Sequence, residues 1–178
     1  LEEAKQNRKL PKAIIPVHLY GMPAKMDEIL SISNEYGVPV IEDAAEALGS
    51  NIDNKPCGSF GEFGVLSFNG NKIITTGGGG MVLCQQIEDG VHCKHVTTTA
   101  KVAHPYQFFH DEVAFNFRMP NLNAALGCAQ LDRLDEFLIL FRQKLYLQKD
   151  QLKQSFHFRS NEQYLRFLKQ CFQHGLFH

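Results

Sequence analysis

The sequence contains no tryptophan and no CxxC pair. Its five cysteines, Cys57, Cys84, Cys93, Cys128 and Cys171, are scattered and odd in number. That spacing predicts neither a disulfide scaffold nor a zinc site, and it suits reduced thiols. HExxH is also missing: His92 and His95 stand three apart without its glutamate, so no metal site is predicted. GxxxxGK[ST] does not occur, although residues 77–80 are four consecutive glycines. Neither sign of charge is in excess, with 18 basic and 19 acidic side chains and a net charge of -1. Such a balance gives no electrostatic footprint for nucleic acid or for an anionic membrane. No apolar run reaches the roughly 20 residues that span a bilayer. The polar start, Leu1-Glu2-Glu3-Ala4-Lys5, is not a signal peptide. A cytoplasmic protein with no membrane or nucleic-acid partner is therefore expected. The chain has no initiator methionine, so it is expected to begin inside a longer protein.

What is present reads as one domain with a core, over 178 residues. Residues 13–17 form a short apolar run ending at His18, which predicts a buried strand. Gly21 and Pro23 mark a turn. Met26, Ile29, Leu30 and Ile32 then recur at helical spacing over residues 24–36, and Gly37 suits the C-terminal cap. Residues 38–41 are apolar again and run into Glu42-Asp43. Strand, helix, strand at this length is a βαβ unit, which implies parallel strands and an α/β fold. A Gly- and Phe-rich loop is predicted over 58–64, a strand over 65–68, and another over 81–84. Residues 97–121 show no clean period and read as an extended functional loop. A long helix is predicted to open at Pro120-Asn121, with Asn121 as N-cap. Most of its stripe, Leu122, Ala125, Leu126, Ala129, Leu134, Phe137, Leu138 and Phe141, is expected to pack in the core or between domains, with Leu126, Leu134, Phe137, Leu138 and Phe141 partly exposed in this chain. Tyr164, Leu165, Leu168 and Phe172 suit a short amphipathic helix.

Candidate chemistry collects where predicted strands end. Asp43 closes one such strand, and the carboxyl edge of a parallel sheet is where α/β proteins bind ligands. On position alone a helix cap or loop acid is the plainer reading of Asp43. Ser67 ends the next strand and can donate to a phosphate. Lys72 follows five residues later; alone it is a phosphate contact, a Schiff-base amine or simply solvated. His18 and Tyr20 at the first strand end suit either a ligand contact or a turn hydrogen bond. Taken together, an amine, an acid and a hydroxyl match the needs of pyridoxal 5'-phosphate (PLP): a covalent anchor, a partner for the protonated pyridine nitrogen, and a phosphate donor.

Several runs carry a more specific likeness. They are Pro16-Val17-His18-Leu19-Tyr20-Gly21, Ile41-Glu42-Asp43-Ala44-Ala45-Glu46-Ala47, Gly58-Ser59-Phe60-Gly61, Ser67-Phe68-Asn69-Gly70-Asn71-Lys72, Gly77-Gly78-Gly79-Gly80 and Asn116-Phe117-Arg118-Met119-Pro120-Asn121. In order and spacing, from His18 to about Asp135, the chain resembles the DegT/DnrJ family of sugar aminotransferases, a branch of fold-type I PLP enzymes. Thr97-Thr98-Thr99-Ala100-Lys101, His104-Pro105-Tyr106 and His110-Asp111-Glu112 resemble the subgroup that makes 4-amino sugars for legionaminic and related nonulosonic acids.

The resemblance implies a three-layer αβα large domain with a mostly parallel sheet, here incomplete. Residues 1–135 would be a partial PLP-binding domain, and 136–178 the end of the long helix with a remnant of the small domain. Lys72 would be the catalytic lysine that holds the cofactor and moves the substrate proton. Asp43 would pair with the pyridinium nitrogen. Glu46, where many relatives have Gln or His, would lie near the ring and its 3-hydroxyl. Ser67 would donate to the phosphate, and Asn116 would reach the phosphate in the neighbouring subunit of a homodimer with shared sites. Arg118 would contact substrate phosphate or form an ion pair at the subunit contact. The implied partners are a nucleotide-linked 4-keto-6-deoxy sugar and an amino donor, glutamate, in bacterial surface polysaccharide synthesis. Family dehydratases replace the lysine with histidine, so Lys72 speaks against that chemistry. The family's N-terminal Gly-Thr turn and ring-stacking aromatic have no counterpart here, which leaves a truncated, non-catalytic or regulatory piece as the alternative.

Overall fold

The computed structural model describes residues 1–156, with side chains through residue 146. The chain forms one compact unit over Leu1–Leu134, and a second unit begins at Asp135.

After a short helix, α1 (Glu2–Gln6), the chain runs extended beside β1 (Ile41–Asp43). Residues 13–17 are not a continuous strand. They touch β1 and its approach through two isolated parallel bridges, Ile14 to Val40 and Val17 to Asp43. The hydrogen bonds show why. Ile14 N donates to Pro39 O, Ile41 N to Ile14 O, Asp43 N to Pro16 O and His18 N to Asp43 O. The position between them belongs to Pro16, which has no N–H to give the ladder.

The predicted helix is α2 (Met26–Tyr36). Asp27 and Glu28 lie in its first turn, where the helix dipole favours acids. Gly37 ends it in the left-handed region (φ 63, ψ 35), and Val38 N returns to Ser33 O. That closure suits glycine, which carries no Cβ to strain the turn. Beyond β1, the pair β2 (Asn51–Ile52) and β3 (Lys55–Pro56) forms a small antiparallel hairpin. β4 (Phe63–Ser67) then returns parallel to β1, with Asp43 opposite Val65. β5 (Gly80–Cys84) runs antiparallel to β4, with Ser67 opposite Gly80. The main sheet has the order β1-β4-β5, and the fold is mixed α/β. Met26, Val38, Val40, Ala44, Leu66, Phe68 and Ile74 form the buried core around it. Each larger one contributes roughly 1.5–3 kcal/mol by leaving water.

The segment after α3 (Ile87–Thr97) is less irregular than expected, because it contains the antiparallel pair β6 (Lys101–Val102) and β7 (Phe109–His110). The long helix also departs from expectation. It is two helices, α4 (Asn121–Leu131) and α5 (Leu134–Phe156), and Pro120 rather than Asn121 holds the N-cap position of α4. Leu122, expected to pack, is exposed, while Leu126 and Phe141 are exposed as expected. The buried face of α4 centres instead on Gly127, where an added Cβ would come within 2.9 Å of the Thr76 methyl. Gln130 completes the contact: Thr75 N donates to its Oε1 at 2.9 Å and its Nε2 donates to Thr75 O at 2.8 Å. The amphipathic stretch predicted around Tyr164–Phe172 lies outside the described residues.

Candidate functional site

Parallel alignment of β1 and β4 brings Asp43 and Ser67 to the same end of the sheet. The Asp43 backbone is pinned by Pro16 O and His18 N, and its Oδ1 accepts from Ala45 N at 3.1 Å. The chain then turns through residues 44–47, with Ala44 and Ala47 fully buried, and carries Glu46 at the rim. Ser67 Oγ accepts from Asn69 N at 3.3 Å, and Lys72 N donates to Asn69 O at 3.1 Å. This short loop brings the Lys72 side chain to Glu46. Its Nζ lies 3.3 Å from Glu46 Oε1, with the lysine side chain 16 % exposed and the glutamate 34 %. The other oxygen, Glu46 Oε2, accepts from Tyr20 N at 2.8 Å. Tyr20 makes that donation from a left-handed conformation (φ 54, ψ 29), which costs a non-glycine residue roughly 1–2 kcal/mol.

Beneath this cluster lies a second polar group that sequence reasoning placed only as a strand end. Glu42 and His18 are fully buried and meet at 2.9 Å. The carboxylate also accepts from the backbone N–H groups of Gly58, Phe60 and Gly61, at 2.8, 2.5 and 2.7 Å. Sequence offered no clear signal for it, since Glu42 stands between the apolar run of residues 38–41 and a second acid, Asp43. His18 is thereby a turn anchor. Burial pushes the nearby Cys57 thiol up from its ordinary value, with the Glu42 charge adding to the effect, which makes Cys57 a poor nucleophile.

The other expected site residues are not joined to this cluster by the hydrogen bonds just described. Asn116 is exposed and bridges to Thr98, and Arg118 is exposed on the same segment. Nearby, His95 Nε2 meets Asp111 Oδ1 at 2.7 Å and His92 Nε2 meets Glu112 Oε1 at 3.1 Å. His95, Asp111 and Glu112 bring potential ligand atoms within 4.8 Å of one another, but each imidazole already has a carboxylate partner. The His95 hydrogen bond holds the Asp111 carboxyl below its usual range. Among the described residues, no helix is long and apolar enough to cross a membrane.

This end of the sheet thus offers a half-buried amine against a carboxylate, a second carboxylate at the end of β1, and a hydroxyl at the end of β4. Comparison with known proteins gives this geometry a context. EpsN of Bacillus subtilis (strain 168), provisionally named a pyridoxal phosphate-dependent aminotransferase, is 53% identical over 137 residues, which cover 76% of this chain and 35% of EpsN. GDP-perosamine synthase of Escherichia coli O157:H7 is 43% identical over 127 residues, 71% of this chain and 35% of that protein. The solved structure of Helicobacter pylori PseC, an aminotransferase involved in pseudaminic acid biosynthesis, superposes with a TM-score of 0.74 at 26% identity, covering 83% of this chain and 40% of PseC. The chain therefore spans about a third of the length of the curated relatives it matches. The architecture is that of the fold-type I aminotransferases. The family pattern matches residues 1–165, and the chain belongs to the DegT/DnrJ/EryC1/StrS aminotransferase family.

Proposed function

We propose that the protein carrying this chain is a PLP-dependent aminotransferase that converts a nucleotide-linked 4-keto-6-deoxy sugar to its 4-amino form, with glutamate as amino donor. The observation that carries this reading is the Lys72 amine 3.3 Å from Glu46, three residues beyond the β1 end that bears Asp43. These donors fit the cofactor's three demands. Bound PLP supplies an electron sink for the substrate's reacting carbon. Lys72 would anchor the cofactor covalently and, when released, would carry the proton to and from that carbon. Asp43, on the β1 end, would keep a proton on the ring nitrogen. Glu46 pairs with the lysine and would serve the ring 3-hydroxyl, and its second oxygen is already fixed by Tyr20 N–H. Ser67 Oγ accepts from Asn69 N and keeps its own proton free for the phosphate.

Asn116 has no place in that cluster, which accords with a role in the site of a second subunit of a homodimer. The name of GDP-perosamine synthase supports a nucleotide-sugar substrate and that of PseC a role in nonulosonic acid synthesis; a place in bacterial surface polysaccharide synthesis, in the cytoplasm, belongs to the same proposal. The test uses the full-length protein. Lys72→Ala is expected to abolish the visible cofactor band and the release of 2-oxoglutarate from glutamate. Asp43→Asn is expected to keep part of the cofactor and lose most of the rate, since an amide cannot balance a pyridinium charge. Near-parental turnover by Lys72→Ala would remove the assignment, whereas a parent protein that neither binds PLP nor converts glutamate would favour the non-catalytic reading.

A further inference from the structure

His18 and Glu42 are the only fully buried titratable side chains among the described residues, and the proposed chemistry uses neither. Taking ionisable groups out of water costs several kcal/mol unless every donor and acceptor is met. Here they are met. Glu42 Oε1 accepts from Phe60 N and Gly61 N, and Oε2 from Gly58 N and His18 Nε2. On the far side of the ring, Ala24 N donates to His18 Nδ1 at 3.0 Å. Nδ1 therefore carries no proton and Nε2 carries the one given to Glu42. Both ring nitrogens are committed, so the ring can neither flip nor rotate without losing a bond.

The same residue opens the turn that touches the site. Gly21 N donates to His18 O at 3.1 Å, and Ser50 Oγ donates to Gly21 O at 2.7 Å. Between these anchors Tyr20 is held left-handed, with its N–H on Glu46 Oε2 and Lys72 on Glu46 Oε1. His18 N also donates to Asp43 O. An unbroken path runs from the 58–61 loop through Glu42 and His18 to Glu46 and Lys72, with a branch to the Asp43 backbone.

We infer that His18, clamped by Glu42, is a positioning residue that sets where the Lys72 amine and the Asp43 carboxylate stand for the cofactor. This rests on the cofactor reading above. The competing view is that the pair only ties the 58–61 loop to β1.

The two views separate in the rate at which cofactor-free, full-length protein captures PLP at Lys72. Capture is read as borohydride-fixed adduct by peptide mass spectrometry, at a temperature where circular dichroism shows the native fold. His18→Asn places an oxygen near the Nδ1 position and gives up Glu42. His18→Gln places an amide near the Nε2 position and keeps Glu42. His18→Asn is expected to slow capture about tenfold or more, because misplacing a reacting group by a fraction of an ångström has that order of effect. His18→Gln is expected to recover most of the rate. Met26→Ala, a buried change in α2, is the control that lowers stability off the path. Ser50→Ala loosens the same turn without opening the buried pair, and it decides the matter if the His18 variants do not fold; it is expected to slow capture a few-fold. His18→Asn or Ser50→Ala capturing PLP at the parental rate would overturn the positioning role. A parent protein that captures no PLP at Lys72 would instead overturn the cofactor reading, and this inference with it.

Discussion

His18 and Glu42 meet at 2.9 Å with neither side chain exposed, while His95 and Asp111 meet at 2.7 Å with 30 % and 47 % of their side chains in solvent. The two pairs have the same chemistry and nearly the same length. The first is embedded in backbone: three loop N–H groups and one strand end depend on it. The second joins α3 to the residues after β7, where water can replace either partner. Exposed pairs of this kind are worth about 0–1 kcal/mol. Burial, and the number of other groups a side chain must satisfy, decides which pair the fold depends on.

The sharpest way to break the comparison is to remove one carboxylate from each. Glu42→Ala would strand four buried donors, at roughly 1–3 kcal/mol each. That sum rivals a whole domain's margin of about 5–15 kcal/mol. Loss of the cooperative denaturant transition in the full-length protein is expected. Asp111→Ala should leave the denaturation midpoint nearly unchanged, because water can replace an exposed partner. Comparable losses from the two would mean that the buried network is not what holds the loop to β1.

A smaller effect is expected from the glycine that lets the loop approach. A Cβ on Gly61 would lie 2.5 Å from Val40 O, so Gly61→Ala must push the loop off β1 and disturb the Glu42 bonds. A loss of about 1–3 kcal/mol is expected, as for other overpacked positions. Gly37→Ala is the informative partner. A Cβ there meets nothing within 4 Å, and only the left-handed backbone is penalised. It should cost about 1 kcal/mol. Urea midpoints of the two variants give the order directly.

These contrasts also explain what could be read without a structure. The α2 helix and Gly37 were legible because helical spacing and a left-handed cap are local signals. The apolar runs that became β1, β4 and β5 were legible for the same reason. The failures are non-local or subtractive. Residues 13–17 look like a strand, but one missing N–H at Pro16 reduces them to two bridges. The apolar stripe runs through 131–134 without Gly or Pro, yet Asp132 N bonds to Cys128 O and Arg133 N to Gln130 O, and α4 ends there. At the candidate site, Asp43, Ser67 and Lys72 stood out by their places at or just after predicted strand ends, and the resemblance then implied a role for each. The role of Glu42 could not stand out, because its partners lie 16 to 24 residues away.

A still smaller effect separates the exposed pair by pH. The Asp111 carboxyl lies below its usual range, first because His95 hydrogen-bonds to it. A lowered folded value means the pair's contribution is complete above the ordinary carboxylate range and is lost as pH falls through the lowered value. Amide protection at residues 109–112, taken relative to the intrinsic exchange rate at each pH, should therefore fall in acid below about pH 4. His95→Ala should show the lower protection already at neutral pH. The amides of Gly58, Phe60 and Gly61 should not respond to His95→Ala.

The least costly contact to lose is the one between α1 and the end of α2, and its sign is opposite on the alkaline side. Tyr36 OH donates to Glu2 Oε2 at 2.6 Å, with both groups at the surface. That bond is the first cause of two shifts: it lowers the Glu2 carboxyl and pushes the Tyr36 phenol up to about 12. For Glu2 the contribution is present above the ordinary carboxylate range and fades as pH falls through the lowered value. For Tyr36, raised in the folded state, it is complete below the ordinary phenol value and lost as pH rises through about 12. The link therefore holds across the whole neutral range and opens at both extremes. The chain has five tyrosines, so phenolate absorbance should show one group titrating later than the rest. Tyr36→Phe should delete that last step and barely move the denaturation midpoint, since an exposed pair is easily replaced by water. If the late step survives Tyr36→Phe, another phenol carries the shift, and the Glu2 contact does not hold α1 against α2 in solution.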